Sequence, residues 1–84
     1  MSSAELRQAA EAERAEWGGA TNARLYPQAS ALHLALADWL DTVGADIFAY
    51  GPPEPAAEAE EDDLLNPHLL HGLAIARLIN GGTR

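Results

Sequence analysis

Residues 27–50 carry the pattern that most constrains the fold. Apolar side chains recur there at spacings of three and four residues, which places them on one face of an α-helix: Leu32, Leu36, Trp39, Leu40, Val43 and Ile47. Pro27 suits the first turn of a helix, whereas Pro52 and Pro53 break a helix that reaches them. The sequence therefore predicts one long amphipathic helix over residues 27–50.

A second apolar segment predicts a helix over residues 67–80. Asn66 and Pro67 resemble an N-cap followed by proline at the first helical position, and Gly81 with Gly82 predicts the end. Its larger side chains leave it apolar nearly all round: Leu69, Leu70, Leu73, Ile75, Leu78 and Ile79. Such a helix is expected to be buried on several sides.

The N-terminal part predicts a helix over residues 3–17 that ends before two glycines. Its apolar stripe is weak, because Glu13 interrupts the alignment of Leu6, Ala9, Ala10 and Trp17. We expect this helix to dock on the others rather than organise the core. Residues 21–26 are expected to form a connector.

These segments predict an all-α, single-domain protein over residues 1–84, with a helical hairpin and an additional N-terminal helix. The chain has no cysteine, and 18 of its apolar residues are alanines, so its core is thin. Oligomerisation is a common remedy in so small a chain, and we expect a homodimer. The residues assigned to helix packing or to the dimer are Trp17, Leu36, Trp39, Leu40, Val43, Leu69, Leu73 and Ile79.

An acidic loop is predicted over residues 51–65, after the prolines that end the long helix. It carries no basic residue and six carboxylates, which we expect to be exposed on a mobile chain: Glu54, Glu58, Glu60, Glu61, Asp62 and Asp63. Such charge runs are usually solvated. The alternative is that they bind a partner.

The net charge of −8 bears on the kind of partner. Thirteen acidic residues against five arginines repel nucleic acid and anionic membranes and favour a protein with a basic surface. No apolar run in residues 1–20 predicts a signal peptide or a membrane span, so a cytoplasmic location is expected.

Catalysis is not predicted. The serines and threonines lie in no nucleophile motif, and no cofactor motif is present. His68 and His71, three residues apart on a helix, with His33 as a third ligand, form the best metal candidate. The alternative is that these histidines are solvated or pack on neighbouring leucines, and we expect no metal and no cofactor.

The acidic loop favours a sharper hypothesis, in which its carboxylates imitate a row of phosphates and occupy a basic nucleic-acid site on another protein. Asp38, Asp41 and Asp46 on the long helix would extend this row. Leu34 departs from the main apolar stripe, so it is a candidate for partner contact or an ordinary exposed leucine. The alternative for the loop is a solubilising linker.

Two segments, HLALADWLDTVGADI (33–47) and HGLAIARLINGG (71–82), resemble segments of small uncharacterised helical proteins of actinobacteria and actinobacteriophages. The resemblance implies an all-helical fold and a phage or mobile-element context. From the charge and the predicted fold, we expect an acidic accessory protein that binds a host protein stoichiometrically, as an inhibitor. The alternatives are a self-associating assembly protein and a small histidine-based metal-binding protein.

Overall fold

The computed structural model describes residues 2–82 of the chain, with side chains described for residues 3–81. Within that range the chain is all-α, without a strand, as the sequence predicts. Its four helices are α1 (Ser2–Trp17), α2 (Ala20–Leu25), α3 (Pro27–Tyr50) and α4 (Leu65–Gly82).

Helix α3 spans the residues that the periodicity predicts. Pro27 occupies its first turn, and Gly51 ends it with a φ of 92° while its amide donates to the carbonyl oxygen of Ile47 at 2.8 Å. This φ lies in the left-handed region, which glycine enters without the steric penalty of a side chain. The helix continues through Gly44 without interruption.

Helix α1 lies antiparallel to α3 and organises the core, which corrects the expectation from its weak apolar stripe. Near its start Leu6 lies beside Gly44, and near its end Glu13 contacts His33. Leu6, Ala9 and Ala10 are fully buried. Because alanine side chains are short, this face can approach its neighbours closely, and a low hydrophobicity does not prevent central packing.

Helix α4 crosses α3 and then follows α1. His68 lies against Asp46, Gly72 packs on Val43, and the far end of α4 reaches Glu5 through Arg77 and Asn80. The acidic loop joins α3 to α4, as predicted for a hairpin. However, α4 shares a larger interface with α1 than with α3.

The core lies where α1, α3 and α4 meet. Its buried members are Leu6, Ala9, Ala10, Ala37, Leu40, Val43, Ile47, Leu69, Leu73 and Ala76. Leu32 belongs to the predicted stripe of α3 but is 69% exposed. The described contacts between α3 and α4 lie near residues 39–46, so α4 does not cover Leu32.

Residues 21–26 contain a helix rather than the predicted connector. Helix α2 follows Gly19, whose extended backbone precedes the first turn, and it ends at Tyr26. The Asn22 side chain donates to the carbonyl oxygen of Glu16 at 2.7 Å, which ties this short helix to the end of α1. In the described part of the chain, no helix has the length and apolarity needed to cross a bilayer.

Candidate protein-binding surface

Two of the carboxylates predicted to bind a partner are paired within the chain. Asp38 and Asp41 on α3 each lie 2.7 Å from Nη2 of Arg14 on α1. The hydrogen bonds from Arg14 to these two carboxylates raise the pKa of the Arg14 guanidinium above its ordinary value, and the bond to Asp38 has the larger effect. Asp38 and Asp41 remain exposed, but Arg14 partly neutralises them. The structure therefore removes them from a row of uncompensated charges.

Three further carboxylates of the helices also have cationic or imidazole partners. Each contact joins two helices rather than neighbouring turns of one helix. The pairs are Glu5 with Arg77 at 3.2 Å, Glu13 with His33 at 2.6 Å, and Asp46 with His68 at 3.2 Å. The helical body thus compensates much of its own charge.

The acidic loop, which spans residues 51–64 in the structure, has no such compensation. All six of its carboxylates belong to exposed residues, as predicted. Among residues 2–82, none of the ion pairs found involves the loop. With six acidic and no basic residues, the loop carries −6 of the net charge of −8. The negative field of the protein is therefore concentrated on one segment.

The backbone of the acidic loop is anchored to the start of α4 by Asn66. This buried side chain accepts a hydrogen bond from the amide of Glu54 at 2.7 Å and donates one to the Glu54 carbonyl oxygen at 2.9 Å. The sequence assigned Asn66 to the N-cap of the helix. Instead it lies in the first turn, where its side chain satisfies two backbone groups of the loop.

Asp63 supplies the cap that the sequence assigned to Asn66. Its Oδ1 accepts hydrogen bonds from the amides of Leu65 at 3.1 Å and Asn66 at 3.2 Å. These two amides have no partner inside the helix, and a carboxylate here also interacts favourably with the positive end of the helix dipole. The acidic loop is thus held near its start by Asn66 and at its end by Asp63.

Between these anchors the loop folds into turns. The amides of Glu58 and Ala59 donate to the Pro55 carbonyl oxygen at 2.9 and 3.2 Å. The amide of Asp63 donates to the carbonyl oxygen of Glu60 at 3.1 Å. These turns bring Glu60, Glu61 and Asp63 beside residues of α4. The loop is therefore an exposed segment with a defined path beside the helix.

A groove of about 570 Å³ runs between the acidic loop and α4, and we call it the α4 groove. Pro67, Leu70 and Ala74 supply apolar surface from the helix, and Ala56 and Ala59 supply it from the loop. The carboxylate side chains along the groove come from Glu60, Glu61 and Asp63. The apolar surface of the groove, which we call the apolar floor, thus lies beside a row of carboxylates.

The residues assigned to packing lie mostly in the core of the single chain. Leu40, Val43, Leu69 and Leu73 are buried, while Leu36, Trp39 and Ile79 are partly buried against them. Trp17 stacks on the His33 ring, with centroids 4.3 Å apart. Leu34 is half-buried. These contacts within one chain account for the packing residues.

The three histidines do not converge. His33 pairs with Glu13, and His68 pairs with Asp46, which lies 13 residues beyond His33 and thus about 20 Å along the same helix. His71 is exposed and borders the α4 groove. In residues 2–82 no group of three or more histidine, aspartate or glutamate side chains is arranged to hold a metal ion.

The α4 groove and the loop beside it combine apolar side chains with carboxylates that have no cationic partner in the described chain. No protein-family model, curated protein or solved structure matches this chain. The function of this surface therefore has to follow from its own geometry and charge.

Two relationships were missed by the sequence reasoning. The Glu13, His33 and Trp17 cluster looked like a polar interruption of a helix, because the partner lies 20 residues away. The Asn66 anchor looked like a helix cap, because asparagine before proline is typical of one. For the first, the only signal in the sequence was a carboxylate within a stripe of alanines. For the second, no local pattern gave a signal.

Proposed function

We propose that this protein is a binding protein without catalytic activity, which acts stoichiometrically through its acidic loop on the basic surface of a cytoplasmic partner protein. The observation that carries the proposal is the separation of charge within the fold. Five of the seven carboxylates of the helices are paired across helix interfaces, whereas all six of the loop face solvent without a cation. A partner that supplies arginine or lysine would provide the missing compensation.

Anchoring of the loop supports this role. Asn66 and Asp63 fix the loop at the helix before any partner arrives. A segment with a defined path loses less conformational entropy on binding than a free chain does. The same contacts are less readily explained by a linker whose purpose is solubility alone.

Imitation of nucleic acid is one form that this binding can take. Because Asp38 and Asp41 are paired with Arg14, the phosphate-like charges are confined to the acidic loop. The partner in this case is a nucleic-acid-binding protein of the host, and the protein is its inhibitor. A phage or mobile-element context, which residues 33–47 and 71–82 led us to expect, would be such a setting.

Capture of the partner from an actinobacterial lysate tests the proposal when the bait is compared with matched variants. The double substitution Glu60→Gln with Glu61→Gln removes two charges from the loop. The control, Glu11→Gln with Glu16→Gln, removes two exposed charges from α1. We expect the loop variant to lose the partner and the control to retain it, and we expect high salt to release it from the parent protein and from the control.

Two results would contradict the proposal. Equal capture by both variants would show that charge in the loop does not select the partner. Capture that persists in high salt and with the loop variant would point to an apolar interface instead. If duplex DNA does not displace the captured partner, imitation of nucleic acid is excluded while binding through the acidic loop stands.

Self-association is the second candidate, and Phe48 favours it. Its side chain is 89% exposed on α3 and borders a shallow groove of about 370 Å³ between α1 and α3. Gly44 and Ala45 leave room there, and Arg7 supplies a positive charge at the edge of the groove. A symmetric homodimer could bury Phe48 of each copy in the groove of the other.

Light scattering after size exclusion distinguishes this candidate. A homodimer that Phe48→Ser converts to a monomer, with unchanged helix content, would support assembly through α3. A monomer at all accessible concentrations would reject it. Substitutions in the acidic loop are expected to leave the oligomeric state unchanged.

A further inference from the structure

The α4 groove is suited to one class of ligand within the proposed function. Its α4 side is formed by residues 66, 67, 70, 71 and 74, which recur at three and four residues and therefore share one face of the helix. They extend over about 12 Å, or roughly two turns. Leu78 continues the face by another turn and is 76% exposed. The groove thus lies on an elongated face of the helix, which Leu78 extends beyond the groove itself.

We propose that the α4 groove binds an amphipathic basic helix of the partner, with its apolar face on Pro67, Leu70 and Ala74 and its lysines or arginines against Glu60 and Glu61. This inference rests on the proposed function, because it specifies the element that the acidic loop recognises. Grooves of this kind bind helices through apolar residues at positions i, i+3, i+4 and i+7. The bound helix would lie beside α4 as an additional member of the helical domain.

Charge complementarity indicates that the ligand is positively charged. Within residues 2–82 no arginine borders the groove, and Arg14 and Arg77 are already paired with carboxylates of the helices. Carboxylates along one side therefore favour a helix with cationic residues beside its apolar stripe. An acidic helix would add repulsion at the same place.

The apolar floor distinguishes a basic amphipathic helix from a ligand that is only cationic. A flexible basic chain would be attracted by the loop but would leave Leu70 and Ala74 exposed to water. A basic amphipathic helix covers them and gains the free energy of apolar burial as well. Its affinity must therefore depend on the floor, whereas that of a flexible basic chain must not.

The test uses three labelled peptides of about 15 residues, near the length at which isolated helices become stable. The first contains lysine and leucine in a helical repeat. The second has the same composition in an order that scatters the leucines around the helix, and the third is oligolysine. Binding to the full-length protein is measured by fluorescence anisotropy.

Two substitutions of an alanine by glutamine test the contribution of the apolar floor apart from that of the rest of the surface. Ala74→Gln places a larger polar side chain in the α4 groove, and Ala35→Gln makes the same change at an exposed position of α3. Glutamine is well accepted in helices, so both variants should fold. Circular dichroism verifies that the helix content is unchanged.

We expect Ala74→Gln to weaken the helical peptide about fivefold or more and to leave oligolysine unaffected, as for a residue near the centre of an interface. Ala35→Gln should bind all peptides as the parent protein does. The variant Glu60→Gln with Glu61→Gln should weaken both the helical peptide and oligolysine.

Equal affinity of Ala74→Gln and Ala35→Gln for the helical peptide would overturn the groove inference. So would equal binding of the two leucine-containing peptides. Binding that still falls in the loop variant would then preserve the proposed function. Absence of binding to every peptide, or affinities that the loop variant does not change, would reject the inference and count against the proposed function as well.

Discussion

The Nδ1 atom of His33 on α3 lies 2.6 Å from Oε2 of Glu13 on α1. Glu13 is buried, and the indole of Trp17 stacks on the imidazole of His33. A buried carboxylate is stable only with a partner that replaces its lost hydration. The contact therefore joins the C-terminal part of α1 to the N-terminal part of α3.

Replacing His33 by leucine should lower the free energy of unfolding by about 2 kcal/mol, because the Glu13 carboxylate then remains buried without its partner. Adding Glu13→Leu should restore part of this loss, since no unpaired charge is left. Urea denaturation of the parent, both single variants and the double variant gives the coupling between the residues. Additive effects of the two substitutions would show that the contact contributes nothing.

Two glycines inside helices should respond oppositely to alanine. At Gly72 a Cβ would lie 2.6 Å from Cγ1 of Val43, so α3 and α4 would have to separate. Overpacking of this kind costs about 1 to 3 kcal/mol, more than the gain in helix propensity of about 1 kcal/mol. Gly72→Ala should therefore lower the melting temperature.

Gly44 is the matched control for that prediction. A Cβ there would meet Cβ of Leu6 at 3.6 Å, which is an ordinary van der Waals contact. Gly44→Ala should then raise the free energy of unfolding by up to about 1 kcal/mol. A destabilising effect of equal size at both positions would contradict the packing described for α1, α3 and α4.

Asn66→Ala should release the start of the acidic loop from α4. It removes both hydrogen bonds to the backbone of Glu54, and each is worth about 1 kcal/mol. Hydrogen exchange at the Glu54 amide should accelerate more than exchange in the core of α3. Unchanged exchange at Glu54 would mean that the anchor does not hold the loop in solution.

Asp63 should be replaceable by asparagine but not by alanine. Asparagine retains a side-chain oxygen that can accept from the amides of Leu65 and Asn66, whereas alanine leaves these donors without it. The loss for Asp63→Ala should be about 1 kcal/mol, as for other helix caps. Thermal unfolding of both variants measures it, and equal stability of the two would argue against capping by Asp63.

Sequence periodicity predicted the elements better than their arrangement. Pro27 and Gly51 bound α3 because both act on the backbone of their own segment, so their effect is readable locally. The role of α1 was not readable in this way. Leu6, Ala9 and Ala10 form a modest stripe, and their full burial depends on helices that are distant in sequence.

The candidate surface was predicted only in part. The six carboxylates of the acidic loop were identified from composition, and their exposure follows from the cost of burying unpaired charge. The α4 groove could not be predicted, because it requires the path of the loop beside Leu70 and Ala74. That path depends on Asn66, whose side chain pairs with a backbone 12 residues away.

The sequence by itself determined the helical class, the ends of α3 and the position of the uncompensated negative charge. These properties depend on neighbours along the chain, through helix periodicity, proline and glycine geometry, and the absence of basic residues from the loop. Only the tertiary structure decided that α1 is central, that Arg14 partly neutralises Asp38 and Asp41, and that the loop borders a groove. Each of these depends on contacts between residues far apart in sequence, which no local pattern specifies.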